Sequence, residues 1–163
     1  MPGIEAKLSG DTEKLLKKLN RLTNLDKKGA MTTIAESLRT STTERFDDAK
    51  GPDGRAWKQS IRASEQGGKP LTDTGKLKNS IRAKADSTSA AIGTNDIRAA
   101  THQFGDTRTI RAKNKPYLAF QVNGKWRRVK EVTIHIPARP FLGVSPEDEK
   151  EIQGTILDLL EES

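Results

Sequence analysis

Residues 136–143 read Ile136-Pro137-Ala138-Arg139-Pro140-Phe141-Leu142-Gly143. Two prolines three residues apart fix φ and remove two backbone donors, so the stretch is a stiff, extended connector that can be neither a helix nor a central strand. Before it, Val132-Thr133-Ile134-His135-Ile136 alternates apolar and polar like a strand with one buried face. After it, Ser145-Pro146-Glu147-Asp148 offers an N-cap serine, a proline at the first helical position and carboxylates in the first turn. The connector therefore hands the last strand of a sheet to a final helix. Within it Phe141 and Leu142 are expected to anchor in the core. Arg139, fixed between prolines, is expected to aim its planar fork at a carboxylate or a neighbouring chain.

Outward from this joint, the N-terminal part reads as helical. Leu15, Leu16, Leu19 and Leu22 fall at helical spacing over residues 12–22, with lysines opposite. Residues 26–48 form a second, longer helix with Met31, Ile34, Ala35, Leu38, Thr42, Arg45 and Phe46 on one stripe. At about 1.5 Å per residue it spans roughly 35 Å. Lys50-Gly51-Pro52-Asp53-Gly54 stops it, and Trp57 is expected to anchor the following loop. Residues 60–70 are polar and glycine-rich and read as a mobile loop. Asp73 or Thr74 is expected to cap a short helical turn that sends Leu77 and Ile81 inward. Residues 81–85 and 90–93 can pair around Asp86-Ser87, and residues 99–104 fit either a helical turn or a strand end.

Charge is distributed unevenly. The chain carries +7 overall, yet from Ser145 onward seven acids face Lys150 alone, so the remaining residues hold 28 bases against 15 acids. Residues 107–130 contain eight bases and no acid: Arg108, Arg111, Lys113, Lys115, Lys125, Arg127, Arg128 and Lys130. Residues 117–122 alternate, Asn123-Gly124 is a strong two-residue turn signal, and Trp126 opens the return strand, so a basic hairpin projects just before the joint. Glu147, Glu151 and Asp158 lie on an acidic closing helix whose apolar face is Ile152, Ile156, Leu159 and Leu160. Opposed poles of this kind suit head-to-tail contact between copies, with the acidic helix as one patch and the hairpin as the other; a solvated acidic helix on a basic domain is the alternative. Hydrophobic residues make up only 33% and charged residues 31%, so the monomer is poor in core. Burial is expected to be completed in an oligomer or offset by poorly ordered loops.

Four short motifs carry a resemblance. Leu71-Thr72-Asp73-Thr74-Gly75-Lys76-Leu77, Ser80-Ile81, His102-Gln103-Phe104-Gly105 and the joint itself stand in the order seen in the virion morphogenesis or tail-completion proteins of Mu-like and P2-like phages. The chain resembles that family from about Phe46 to Leu160, and Pro52, Gly54 and Trp57 match its turn-then-tryptophan pattern. The resemblance implies a non-enzymatic protein of the virion neck or tail end, assembled in the bacterial cytoplasm. It implies a homo-oligomeric ring, hexameric as tail tubes of this class are, with the tail tube and the tail terminator or head-tail connector proteins as partners. His102 and Phe104 join Arg139, Phe141, Trp57, Glu147, Glu151 and Asp158 as interface candidates, while the basic hairpin with Trp126 would face the lumen, the genomic DNA passing through it, or an acidic partner.

The expected architecture is a single α+β domain, a mainly antiparallel sheet carrying the long N-terminal helix and the C-terminal helix, with the hairpin projecting. Two histidines, no cysteine and no phosphate-loop, HExxH or GxSxG pattern give no catalytic site, cofactor or metal set to assign. A His102 and Asp106 pair could be drawn as a base and its orienter, but spacing alone licenses nothing, and shaping of a strand end before Gly105 is the favoured reading of His102. The N-terminal residues lack the apolar core of a signal peptide, and no apolar run nears the ~20 residues that cross a membrane. A basic nucleic-acid-binding accessory protein is the competing reading, because eight bases interleaved with Tyr117 and Trp126 could grip phosphates and stack on bases. No helix-turn-helix, RRM or zinc-finger pattern accompanies them.

Overall fold

The computed structural model describes residues 12–161, without the side chains of residues 12, 13, 15, 16, 18 and 19. Leu15, Leu16 and Leu19 of the first apolar stripe thus lie outside the described residues, as does Glu162. Helix α1 (Thr12–Thr23) leads into α2 (Lys27–Asp48), which starts where Asp26 accepts a hydrogen bond from the Gly29 amide at 2.8 Å. Two short helices follow, α3 (Ile61–Gln66) and α4 (Lys76–Asn79), then the hairpin β1 (Arg82–Ala85) and β2 (Ala90–Gly93). The ambiguous stretch before Gly105 is helical, α5 (Ala99–Phe104). Strands β3 (Asp106–Arg111), β4 (Leu118–Val122), β5 (Lys125–Val129) and β6 (Glu131–Ile136) precede α6 (Pro146–Glu161).

The α+β class holds, but among the described residues the strands form three separate two-stranded antiparallel ribbons, β1–β2, β3–β6 and β4–β5, and no continuous sheet. Helix α2 organises the body: α4, α6 and the β1–β2 hairpin all pack on it. Its buried side is Ala30, Ile34, Ala35, Leu38, Thr42, Arg45 and Phe46, so Met31 is only half-buried and Ala30 takes its place inside. Residues 60–70 hold more order than their polarity suggests. Ser60 caps α3 by accepting from the Ala63 amide at 3.2 Å, and Ala63 is buried. Neither Asp73 nor Thr74 caps α4; Gly75, at φ 68°, occupies that position without a side-chain bond.

The core gathers Phe46 from α2, Trp57, Leu77, Ile81 and Phe141 from the joint. Phe46 meets Trp57 edge-on with ring centroids 5.5 Å apart and meets Phe141 at 5.3 Å, arrangements that suit the aromatic quadrupoles. Phe141 is fully buried and touches residues from three separate parts of the chain. Phe141→Ala should therefore cost about 3–5 kcal/mol through lost burial and the cavity left behind; thermal or urea melts will show it, and an unchanged melting temperature would place Phe141 outside the core.

Candidate functional site

The sequence-predicted site residues fall in two regions: the joint, which the chain turns inward, and a pair of charged surfaces, which it turns outward. The joint has no ladder or helix to satisfy its backbone, so side chains do it. The Gln103 amide oxygen accepts from the Phe141 and Leu142 amides at 3.0 and 3.1 Å, and its nitrogen donates to the Leu142 carbonyl at 3.0 Å. Trp57 Nε1 donates to the Pro140 carbonyl at 2.9 Å. One guanidinium nitrogen of Arg45 donates to the carbonyls of Phe141 and Gly143 at 3.0 and 2.8 Å; the other reaches Ser41 and the Asp148 carboxylate. The Arg139 amide donates to the His102 carbonyl at 2.7 Å. Gly105 is required here: a Cβ would come within 2.9 Å of the Ile136 oxygen and the Ala138 nitrogen, and its φ is +77°.

Arg139, Phe141 and Trp57 were interface candidates, and the structure turns all three inward, at 4%, 0% and 7% exposure. Among the described residues the Arg139 fork meets no carboxylate; Nε donates to the Lys58 carbonyl at 2.7 Å and Nη2 to that of Gln59 at 3.3 Å, which ties down the loop after Trp57. Asp148 sits at the start of α6 in a reciprocal capping box: its carboxylate accepts from the Ser145 amide at 2.7 Å while the Ser145 hydroxyl accepts from the Asp148 amide at 3.2 Å. Burial would push the Asp148 carboxyl up. The hydroxyls of Ser41 and Ser145, the Ser145 amide and the Arg45 charge outweigh it and hold the group below its usual range.

His102 borders a cleft of about 260 Å³ lined by Arg62, Lys76, Arg98 and Arg139 as well as Asp73. Burial, then the positive charges of Arg139 and Arg98, lower its pKa, so the imidazole is neutral near pH 7. The pairing with Asp106 does not form; the Asp106 carboxylate is taken by Arg108 at 2.8 Å. Among the described residues no group of three or more His, Asp or Glu side chains is placed to hold a metal, and no helix is long and apolar enough to cross a membrane.

The outward surfaces are the arm, residues 106–136, and α6. In the arm the β3–β6 ribbon carries the β4–β5 hairpin, whose Asn123-Gly124 turn has both φ values positive, at 50° and 73°. Arg108 and Arg111 lie on the ribbon at its base, paired with Asp106 and Glu131 at 2.8 Å each. Lys113, Lys115, Lys125, Arg127 and Lys130 are exposed and make no ion pair among the described residues. Arg128 lies 5.0 Å from the Tyr117 ring centroid, and Trp126 is 69% exposed. Register sorts the ribbon into two faces. Thr107 bonds His135 at 3.1 Å, Thr109 bonds Thr133 at 2.9 Å and Arg111 bonds Glu131, all on one side. Asp106, Arg108, Ile110, Val132, Ile134 and Ile136 share the other side, which the sequence pattern assigned to the core; Val132 and Ile136 are half-buried there, while Ile110 and Ile134 are exposed. Phe104, at the arm's base, is 78% exposed. On α6 the buried or half-buried row Asp148, Ile152, Thr155 and Leu159 faces α2, while Glu147, Glu151 and Asp158 are exposed.

Sequence reasoning missed the Gln103 clamp and the partner of Arg45. A cation on an otherwise apolar helix stripe was the available signal, since a buried guanidinium requires acceptors. Two measurements probe these contacts. Arg139→Lys keeps the charge but cannot reproduce the two-pronged donation, and should lose about 1–3 kcal/mol in denaturant melts. The native pKa of Asp148 lies below its unfolded value of about 3.9, so its contribution is complete above that pH and is lost as pH falls through the native pKa. Asp148→Asn should cost roughly 3–5 kcal/mol near pH 7 by stranding Arg45, and should flatten the loss of melting temperature on acidification; an acid limb of unchanged steepness would assign that loss elsewhere.

The phage virion morphogenesis family model matches residues 10–161. The Mu-like prophage FluMu G protein 2 of Haemophilus influenzae is 35% identical over 129 residues, covering 78% of this chain and 74% of that protein. No solved structure matches. The match spans both helical ends, the motifs around His102 and the joint, and the chain belongs to the phage virion morphogenesis family.

Proposed function

We propose that this chain is a structural virion protein of a tailed phage or prophage that completes the head-proximal end of the tail and joins it to the head. Family membership carries the general part, a structural rather than catalytic role in virion morphogenesis, and the Mu-like prophage relative supports it. The finer assignment rests on the observation that the body is closed around its joint while two surfaces of opposite charge stay open. In this reading copies form a hexameric ring in the neck, with the tail tube and the terminator or connector proteins as neighbours. The acidic α6 supplies one contact patch. The arm supplies the other, or lines the lumen where DNA passes.

Exposed ion pairs give only about 0–1 kcal/mol each, so the charges mainly orient the copies and apolar contacts hold them. A second reading, a nucleic-acid-binding accessory protein, is favoured by Trp126 standing exposed among unpaired lysines and arginines. Deletion of the gene should yield filled heads beside unjoined or aberrant tails in electron micrographs; normal virions would refute the proposal. Tight, steeply salt-dependent shifting of duplex DNA by the purified chain would favour the second reading instead.

A further inference from the structure

We infer that the open apolar face of the arm is a docking surface for a second copy of this chain, and that it seats on the outer side of that copy's α6. This rests on the ring reading above and names the contact within it. Ile110 and Ile134 are 39% and 36% exposed on that face although three β-branched side chains and Ile136 line up there. The opposite face of the same ribbon is complete, with every polar side chain bonded across the strands. The hairpin repeats the pattern, since register puts Leu118, Phe120 and Val122 on one side with Lys125 and Arg127. A two-stranded ribbon with one apolar face is marginal in water unless something covers that face. Among the described residues neither ribbon of the arm packs extensively on another element of its own chain, and Arg108 reaches Thr101 of α5 at 3.4 Å.

Charge selects the occupant. The arm holds eight bases and two acids, so a second arm laid on it would set like against like. Nucleic acid would engage the cations and leave the isoleucines wet. The fitting partner is apolar along its middle and acidic at its edges. Helix α6 is such an element, with six acids and one base. Beyond the row that faces α2, it exposes Leu157 at 58% and Ile156 at 39%, flanked by Glu149, Asp158 and Glu161. Ladders of six and five pairs, at about 3.4 Å per residue, give the arm a reach of roughly 35 Å, enough to cross onto a neighbour. The contact uses different patches on the two copies and is therefore heterologous, as a ring requires.

The chain has no cysteine, so introduced ones report alone. Purified Ile134→Cys and Leu157→Cys chains, each with the parent's circular dichroism and melting temperature, are mixed at high concentration with a short bis-maleimide. A linked dimer is expected from the mixture and none from either variant alone; Ile110→Cys with Ile156→Cys provides a second pair should the first disturb folding. Arg127→Glu introduced into the Ile134→Cys chain should reduce the yield several-fold, and adding Asp158→Lys to the Leu157→Cys chain should restore it. Linking of Ile134→Cys to itself would assign the face to arm–arm contact, and no linking from either mixture would remove the self-docking proposal; both overturn it. Gene deletion reads the broader proposal independently: unjoined tails without cross-linking leave that reading standing and this contact refuted, whereas normal virions with cross-linking do the reverse.

Discussion

Five residues of irregular backbone, Arg139 to Gly143, with Arg139 and Phe141 buried, must be satisfied without a ladder or a helix, and the body of the protein is built to do that. Trp57, Gln103 and Arg45 come from three separate parts of the chain, and each places its polar atoms on this one segment. Because an unpaired buried carbonyl or amide costs about 1–3 kcal/mol, the segment acts as a lock. It fixes α2 against α6 through Arg45 and Asp148, and α5 against the connector through Gln103. The Arg45–Asp148 pair sits at 8% and 3% side-chain exposure, and its value lies less in attraction than in the penalty of separating the partners.

A rigid interior of this kind explains why the residues that link the family's motifs are structural rather than exposed. Arg139, Phe141 and Trp57 make the joint and are buried within the chain. In the proposed ring, the surfaces offered to partners are the arm and the acidic helix. His102 belongs with the joint too, since its backbone carbonyl receives the Arg139 amide and the charges of Arg139 and Arg98 act on its ring.

Much of the fold was legible in the sequence where the signals were local. Ser145-Pro146 and Asn123-Gly124 each act through neighbouring backbone, so a cap and a turn could be read directly, and the period of α2 identified most of its buried side with Thr42 and Arg45 included. The two-residue alternation in β6 was read correctly as a strand and wrongly as half-buried, because alternation reports amphipathicity and says nothing of what covers the apolar face. Residues 60–66 looked like a loop since polarity masked a serine cap and a single buried alanine. The Gln103 clamp was invisible for a different reason. Its partners are backbone groups almost forty positions away, and backbone groups leave no mark on a sequence.

The buried arginine also sets an order of events during synthesis. Arg45 lies on a helix that leaves the ribosome early, yet its acceptors at Phe141, Gly143 and Asp148 follow 96 to 103 residues later. Until they emerge, closing α2 into the core would strand a guanidinium in apolar surroundings, a state several kcal/mol uphill. The nascent chain is thereby kept open along α2 until the translation of α6 begins, and the opposed surfaces that α6 and the arm present come into being together, on a completed molecule.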